Sequence, residues 1–296
     1  MSSLKEIKTR LNSVRSTRQI TSAMKMVASA KLHKAQSRVA GMLPYHEKLT
    51  DILRRFLAAD TSLNTPYTRV RPVERVAIVA FASNTALCGA FNSNVIKMLT
   101  QVLGEYRSLP RENIFLFPVG KKVETAVRKL GYTPQGSYAE MADKPSFAAT
   151  CQLSQWLLSQ FADKQVDRVE LIYHHFKSAG VHVLMRETFL PMDLSSLESE
   201  AAEGETAQPR SYRDDYIVEP STEELIADLL PRVLNEKLYT ALADSNASEH
   251  AARTIAMQTA TDNANTLIQD LTKQYNKSRQ QAITSELLDI VGGSMK

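Results

Sequence analysis

The residues best placed to do chemistry follow a short apolar run. Arg75-Val76-Ala77-Ile78-Val79-Ala80-Phe81-Ala82 reads as a buried strand, and Leu87-Cys88-Gly89-Ala90-Phe91-Asn92-Ser93-Asn94 turns from it into a helical stretch. A strand, a turn and a helix frame a nucleotide site, where N–H groups at the helix start hold phosphate. A dinucleotide fingerprint needs three glycines, each for a separate steric reason, and this turn has one. Phe117-Pro118-Val119-Gly120-Lys121-Lys122 has a Gly-Lys pair but lacks the first glycine and the Ser/Thr of a phosphate loop. The sequence therefore weighs against a nucleotide site. His174 and His175 occupy adjacent strand positions and point to opposite faces, so they cannot jointly hold a metal. Cys88 has no histidine or basic group near it in sequence and reads as a buried structural thiol. Asp214-Asp215 and Glu223-Glu224 read as surface and helix-start charges. No constellation carries catalysis, and neither a cofactor nor a metal is expected.

The surrounding chain of 296 residues has 43% hydrophobic residues, enough for a sizeable core, which excludes a wholly disordered protein. No apolar run approaches the ~18–20 residues of a membrane-spanning helix. Met1 to Arg10 has no apolar signal core. Cys88 and Cys151 alone make no disulfide framework. A soluble, cytoplasm-side protein is expected. Its net charge of +4 hides two opposed poles. Residues 1–40 carry nine basic side chains against Glu6, and residues 193–228 carry eleven acidic ones against Arg210 and Arg213. Such poles suit a molecule that meets charged partners.

Residues 1–40 and 232–291 contain neither Gly nor Pro, which reads as two long helices flanking a punctuated centre. In the first, a 3-4 spacing runs Leu4, Ile7, Leu11, Val14, Arg18, Thr21, Lys25, Ala28, Leu32, Ala35, Val39, Met42. That is a coiled-coil seam. It turns polar between Arg18 and Lys25, while Ile20, Met24 and Val27 form a second stripe on a shifted face. Gly41 and Pro44 are expected to kink this helix. The last helix is expected to start at Ser221-Thr222-Glu223-Glu224, to kink or restart at Pro231, and to stop at Gly292-Gly293. At 1.5 Å per residue the C-terminal helix would extend about 90 Å and the first about 60 Å, so an antiparallel pair leaves a C-terminal overhang.

In the middle, Asn113–Pro118 reads as a strand, Lys121–Leu130 and Phe147–Phe161 as helices, and Arg168–His175 with Val181–Phe189 as an antiparallel hairpin. Strand–helix alternation predicts a mostly parallel sheet covered by helices. Residues 195–209 read as a flexible acidic loop. The fold class is α/β: a long antiparallel coiled coil of N- and C-terminal helices with an inserted Rossmann-like α/β domain. Its expected segments are 1–58, 73–210 and 221–296.

Residues 18–36, Arg-Gln-Ile-Thr-Ser-Ala-Met-Lys-Met-Val-Ala-Ser-Ala-Lys-Leu-His-Lys-Ala-Gln, closely resemble the N-terminal helix of the F-type ATP synthase gamma subunit. Asn276 to Gly293, with Ile283-Thr284-Ser285-Glu286, is similar to that family's C-terminal signature, and Ala256-Met257 and Ala260-Thr261-Asp262-Asn263-Ala264 also match. Leu87-Cys88-Gly89 with Phe91-Asn92-Ser93-Asn94 is similar to its central motif. Two positions depart: Ser294 stands where the family usually has Ala, and Ser83-Asn84-Thr85-Ala86 where it usually has Ser-Asp-Arg/Lys-Gly.

The resemblance implies a rotor shaft inside a hexamer of alternating alpha and beta subunits. The α/β domain would sit on the membrane ring of c subunits, with an epsilon subunit as a further partner. Catalysis would belong to the beta subunits, and the shaft would couple proton flow to ATP synthesis at the cytoplasmic face of a bacterial inner membrane. Carried over by motif, Met24 and Lys25 would form a collar facing the catalytic subunits. Arg253, Gln280, Thr284 and Glu286 would meet the same subunits, and the exposed tip Leu287, Leu288, Ile290 and Val291 would sit in a sleeve formed by the hexamer. Tyr216 to Glu219 would form the foot near the ring. The residues alone leave two competitors: a nucleic-acid binder using the basic helix, and a nucleotide-dependent enzyme using the middle domain. The seam opposes the first because it wants a helix partner in its own chain. The missing glycines oppose the second. No nucleic acid and no small-molecule substrate is expected.

Overall fold

The computed structural model describes residues 4–59, 65–193, 219 and 221–294. Helix α1 spans Leu4–Ala59. Strand β1 (Val76–Phe81) leads to α2 (Phe91–Glu105), β2 (Ile114–Val119) and α3 (Lys121–Lys129). A short α4 (Ala139–Asp143) and α5 (Phe147–Ala162) precede the strands β3 (Arg168–Ser178) and β4 (Val181–Leu190), and α6 covers Thr222–Ser294. The packing forms two compact units, Met1–Lys31 with Arg253–Lys296, and Leu32–Ala252, so each long helix contributes to both.

In the first unit α1 and α6 pair antiparallel. Ile7 and Leu11 cluster with Leu271, joined by Val14, Ile268 and Tyr275. Further along α1, and further back along α6, Thr21 meets Thr261 and Lys25 meets Gln258. Every expected seam residue from Leu4 to Ala28 is buried or half-buried. Facing them, Met257, Thr261, Ala264, Ile268, Leu271 and Tyr275 repeat the alternation of four and three and are covered likewise. The heptad period therefore governs the pair, each covered aliphatic contributing up to ~1.5–3 kcal/mol.

In the second unit the sheet order is β2-β1-β3-β4. Strand β1 pairs parallel with β2 and β3, and β3 pairs antiparallel with β4. All six residues of β1 are buried because helices cover both faces. Its alternate side chains feed two cores. Ala77, Val79 and Phe81 join Leu157 and Phe161 of α5, Leu49 and Leu53 of α1, and Leu230, Leu234, Leu238 and Leu242 of α6. Val76, Ile78 and Ala80 join Val95 and Leu99 of α2 and Val123 and Val127 of α3.

Helical structure continues through the expected breakers. Helix α1 runs through Gly41 and Pro44, and α6 runs through Pro231 without a restart. An interior proline costs about 3 kcal/mol. The turns just beyond bury Leu49 and Leu53 in one helix and Val233 and Leu234 in the other, which offsets it. Gly292 and Gly293 do not end α6 either, which reaches Ser294. A helical glycine costs only about 1 kcal/mol, too little to stop a helix by itself. The predicted start holds: Ser221 Oγ accepts the N–H of Glu224 at 3.2 Å.

Candidate functional site

In open α/β sheets a ligand sits beyond the strand C-termini where the strand order reverses, here outside β1 and β3. In this chain α6 packs across the strand ends, and its Ser248 Oγ donates to the β3 carbonyl of His174 at 3.2 Å. Leu242, Ser245, Asn246 and Glu249 of α6 lie against Phe81, Ala82, Val119 and Ala142, leaving a space of about 10 Å³. Asn246 Nδ2 donates to the Ala142 carbonyl at 2.9 Å, which fastens the helix there. The phosphate-binding end of α3 is occupied too. The N–H of Lys121 donates to Asn84 Oδ1 at 2.9 Å, and that of Lys122 to the Ser83 carbonyl at 3.1 Å. Gly120 is required at this turn, since its φ is +110° and a Cβ would lie 2.2 Å from the Ala82 carbonyl oxygen.

The other residues with chemical potential are engaged structurally. Cys88 is buried, and Asn92 Nδ2 donates to its Sγ at 3.1 Å and to Ser83 Oγ at 2.8 Å. His174 and His175 part to opposite faces: His174 stacks on Phe91 with ring centroids 4.4 Å apart, while His175 reaches Asp244. Burial lowers the His174 pKa to about 4, so it stays neutral near pH 7. Glu170, buried in the sheet, accepts two hydrogen bonds from Arg186 and one from Tyr106. These groups are tied into the packing of the domain.

The surface that stands out lies on the helix pair of the first unit. Its seam is polar at mid-length, and the polar groups satisfy one another. The Thr21 and Thr261 hydroxyls are 2.8 Å apart, and Lys25 Nζ donates to Gln258 Oε1 at 2.6 Å. Gln258 Nε2 in turn donates to both Asp262 oxygens, at 2.9 and 2.8 Å. Beside this layer is an open hollow of about 380 Å³ between Arg18, Ser22, Met26, Thr261 and Asn265. Ile20 and Val27 are 60% and 58% exposed, and Met24 is half-buried. The second stripe therefore faces outward from the pair. Met26, 63% exposed, extends it, although its place outside both sequence stripes concealed it. Lys5, Lys8, Arg10, Arg15 and Lys31 are exposed along the same helix.

The expected contact residues of α6 divide. Gln280, Thr284 and Glu286 are exposed, and the Thr284 hydroxyl donates to the Gln280 carbonyl at 2.9 Å. Arg253 is buried at 9% exposure, so it offers little free surface in the isolated chain. From Ile283 to Val291 every side chain is exposed, with Leu287, Leu288, Ile290 and Val291 at 57%, 66%, 68% and 56%. Glu219 is exposed. Tyr216, Asp214-Asp215 and the acidic stretch 195–209 lie outside the described residues.

Known proteins are similar to this chain along its whole length. A family model described as ATP synthase matches residues 3–295. The ATP synthase gamma chain of Bacteroides thetaiotaomicron is 63% identical, covering 100% of both chains. The chain belongs to the ATP synthase gamma chain family. The gamma chain of Flavobacterium johnsoniae is 42% identical over 99% of this chain and 98% of its own. Among solved structures, a chain of the Euglena gracilis mitochondrial ATP synthase (OSCP/F1/c-ring) superposes with a TM-score of 0.66 at 21% identity. It covers 99% of this chain and 93% of that one. A chain of the Tetrahymena thermophila mitochondrial ATP synthase central stalk/c-ring gives 0.59 at 23% identity, over 81% and 99%. Within this gamma-family chain the departing turn has a structural use. Asn84 Nδ2 donates to the Ala139 carbonyl at 2.7 Å while its Oδ1 caps α3. An amide does both jobs at once, whereas a carboxylate could only accept.

Proposed function

We propose that this chain is the central rotor shaft of an ion-translocating F-type ATP synthase, transmitting rotation between a membrane ring of c subunits and catalytic beta subunits. In this reading it is a non-catalytic, peripheral subunit at the cytoplasmic face of a bacterial inner membrane, and it couples proton flow to ATP synthesis. Among the described residues no helix is long and apolar enough to cross a membrane. Its partners are the alpha and beta subunits as a hexamer, an epsilon subunit and the c ring.

The observation that carries the reading is the helix pair, which is stiffened by its seam yet exposes a basic, polar collar and a bare apolar tip. A shaft that turns past acidic loops needs contacts that attract without locking. Exposed ion pairs at ~0–1 kcal/mol each meet that need. In this reading Met24 and Lys25 belong to the collar, and Arg253, Gln280, Thr284 and Glu286 meet the catalytic subunits on α6. Arg253 is buried in the isolated chain, so in this reading it would support that contact from the helix side. Tyr216 and Glu219 belong to the foot at the ring. The α/β domain acts as a handle, since its ligand crevice is filled by its own helix.

The deciding experiment mixes the purified chain with a hexamer of alpha and beta subunits and follows complex formation and ATP hydrolysis. One copy per hexamer with altered ATPase is expected. No binding by the folded, helical chain would overturn the reading.

A further inference from the structure

Within the α/β unit, helix α6 meets the β3–β4 hairpin through charges as well as through the leucines of the core. His175 Nδ1 donates to Asp244 Oδ2 at 2.5 Å. Lys237 Nζ pairs with Glu187 Oε1 at 2.5 Å. Lys237 and Asp244 are seven residues apart and so share one face of α6. The strand register pairs Leu171 with Glu187, and Leu171 is four residues from His175, so His175 and Glu187 share one face of the sheet. Tyr173, between them in register, donates its hydroxyl to Glu187 Oε2 at 3.1 Å. Ser248 Oγ adds a bond to the His174 carbonyl at 3.2 Å.

Asp244 is 4% exposed. A carboxylate so far from water depends on its partner, and breaking a buried pair costs far more than breaking a surface one. His175 is the partner, with its side chain 43% exposed and in exchange with solvent protons. We propose that His175 and Asp244 form a proton-sensitive grip by which the hairpin of the α/β domain holds helix α6, firm while the imidazole is charged and slack once it is neutral. The grip stands on this geometry alone, and its consequence for coupling rests on the rotor reading.

The groups facing the imidazole fix the direction of the response. The hydrogen bond to Asp244 on α6 raises its pKa above the usual 6.5, burial opposes this, and the Asp244 charge raises it again. Lys177 on the same strand lowers it, and Glu187 on β4 raises it. A raised value in the folded chain means stability that is complete below about 6.5 and is lost as pH climbs through the folded value. The Lys237–Glu187 contact contains no histidine and remains as a second tether, so the grip slackens rather than opens.

The test follows the His175 imidazole resonance of the full chain against pH, in the wild type and in Asp244→Asn. The expected midpoint lies above 6.5 in the wild type and drops on substitution, and hairpin amides lose hydrogen-exchange protection through the same midpoint. A wild-type midpoint at or below 6.5, or one that Asp244→Asn leaves in place, overturns the proposal. Should Asp244→Asn fail to fold, His175→Gln carries the exchange arm, and unchanged pH dependence of hairpin protection refutes the grip. In the assembled complex, protons pumped per ATP should vary with pH across this range in the wild type and vary less in His175→Gln. A shifted titration with identical coupling profiles overturns the coupling consequence, while failure of the chain to assemble at all strikes the rotor reading instead.

Discussion

Removing the end of α6 after Gln281 deletes Ile283, Leu287, Leu288, Ile290 and Val291, each between 49% and 68% exposed. Burying such a side chain completely is worth ~1.5–3 kcal/mol, so covering the exposed half to two-thirds gains about 1–2 kcal/mol apiece. Over the four tip residues the gross gain is about 4–8 kcal/mol, part of which ordering and imperfect fit consume. A net 1.4–2.8 kcal/mol would already weaken assembly by roughly 10- to 100-fold. The side chains from Ile283 to Val291 are all exposed, so they contribute little to the fold of the chain itself. The truncated chain should therefore melt within about 1–2 °C of the full one, since surface changes rarely exceed ±0.5 kcal/mol. The assay is titration of each chain into the alpha–beta hexamer, followed by coupled ATP synthesis in the reconstituted complex. Equal affinity and equal synthesis would refute the sleeve. A large drop in melting temperature would refute the premise that the tip is bare.

Gly120→Ala should destabilise the chain by about 2–6 kcal/mol, combining backbone strain with a collision at the Ala82 carbonyl, and lower the melting temperature by roughly 5–20 °C. Gly104→Ala, which meets nothing within 4 Å, should be neutral or slightly stabilising and serves as the control. Glu236 is buried, its Oε2 has no hydrogen-bond partner among the described residues, and desolvation lifts its pKa to about 7. Because that value is raised, stability falls as pH rises from about 4.5 to 7. Glu236→Gln should thus gain about 3 kcal/mol at pH 8 and little at pH 4, read by denaturant melts at both. Met24→Lys adds charge to the collar and should tighten its hold on acidic loops, lowering ion pumping per ATP. Unchanged pumping would remove Met24 from the collar.

The period of the sequence was enough to read the helix pair. A coiled-coil seam has one geometry, and its polar members Thr21 and Lys25 could be placed with its leucines because spacing alone decides the face. Strand β1 was legible for a similar reason, as a continuous apolar run that only a doubly covered strand tolerates. Short or long-range features were not legible. Helix α4 is one turn long, with no period to detect. The His175–Asp244 contact joins residues 69 apart in sequence, and neither neighbourhood signals the other. A restart at Pro231 and a stop at Gly292-Gly293 were overread, because their local cost is small beside the burial and hydrogen bonding of a long helix. The polar break in the seam could be foreseen from the spacing, but the outward aim of Met26 depends on a helix orientation that only packing fixes.

The filled crevice bears on how such a domain could come to serve a shaft. A doubly wound sheet ordinarily leaves its switch point open, and ligand binding there moves elements against one another. Here α6 supplies Leu242 and Asn246 to the ends of β1 and β2 and Ser248 to β3, and the same helix continues without interruption to Ser294. In the rotor reading a load on α6 within the α/β unit would be felt at the end of β1, the most buried strand of the sheet. A loosely covered surface helix would slide under such load, because apolar contacts are non-directional. Hydrogen bonds from Asn246 to Ala142 and from Ser248 to His174, with the pair at Asp244, resist sliding because each has a fixed partner and a steep distance dependence. Replacing Asn246 and Ser248 together by Ala would keep the leucines in place while removing that resistance. In a rotor this should lower coupled synthesis more than it lowers the melting temperature. Equal proportional losses would mean that these bonds merely stabilise the fold.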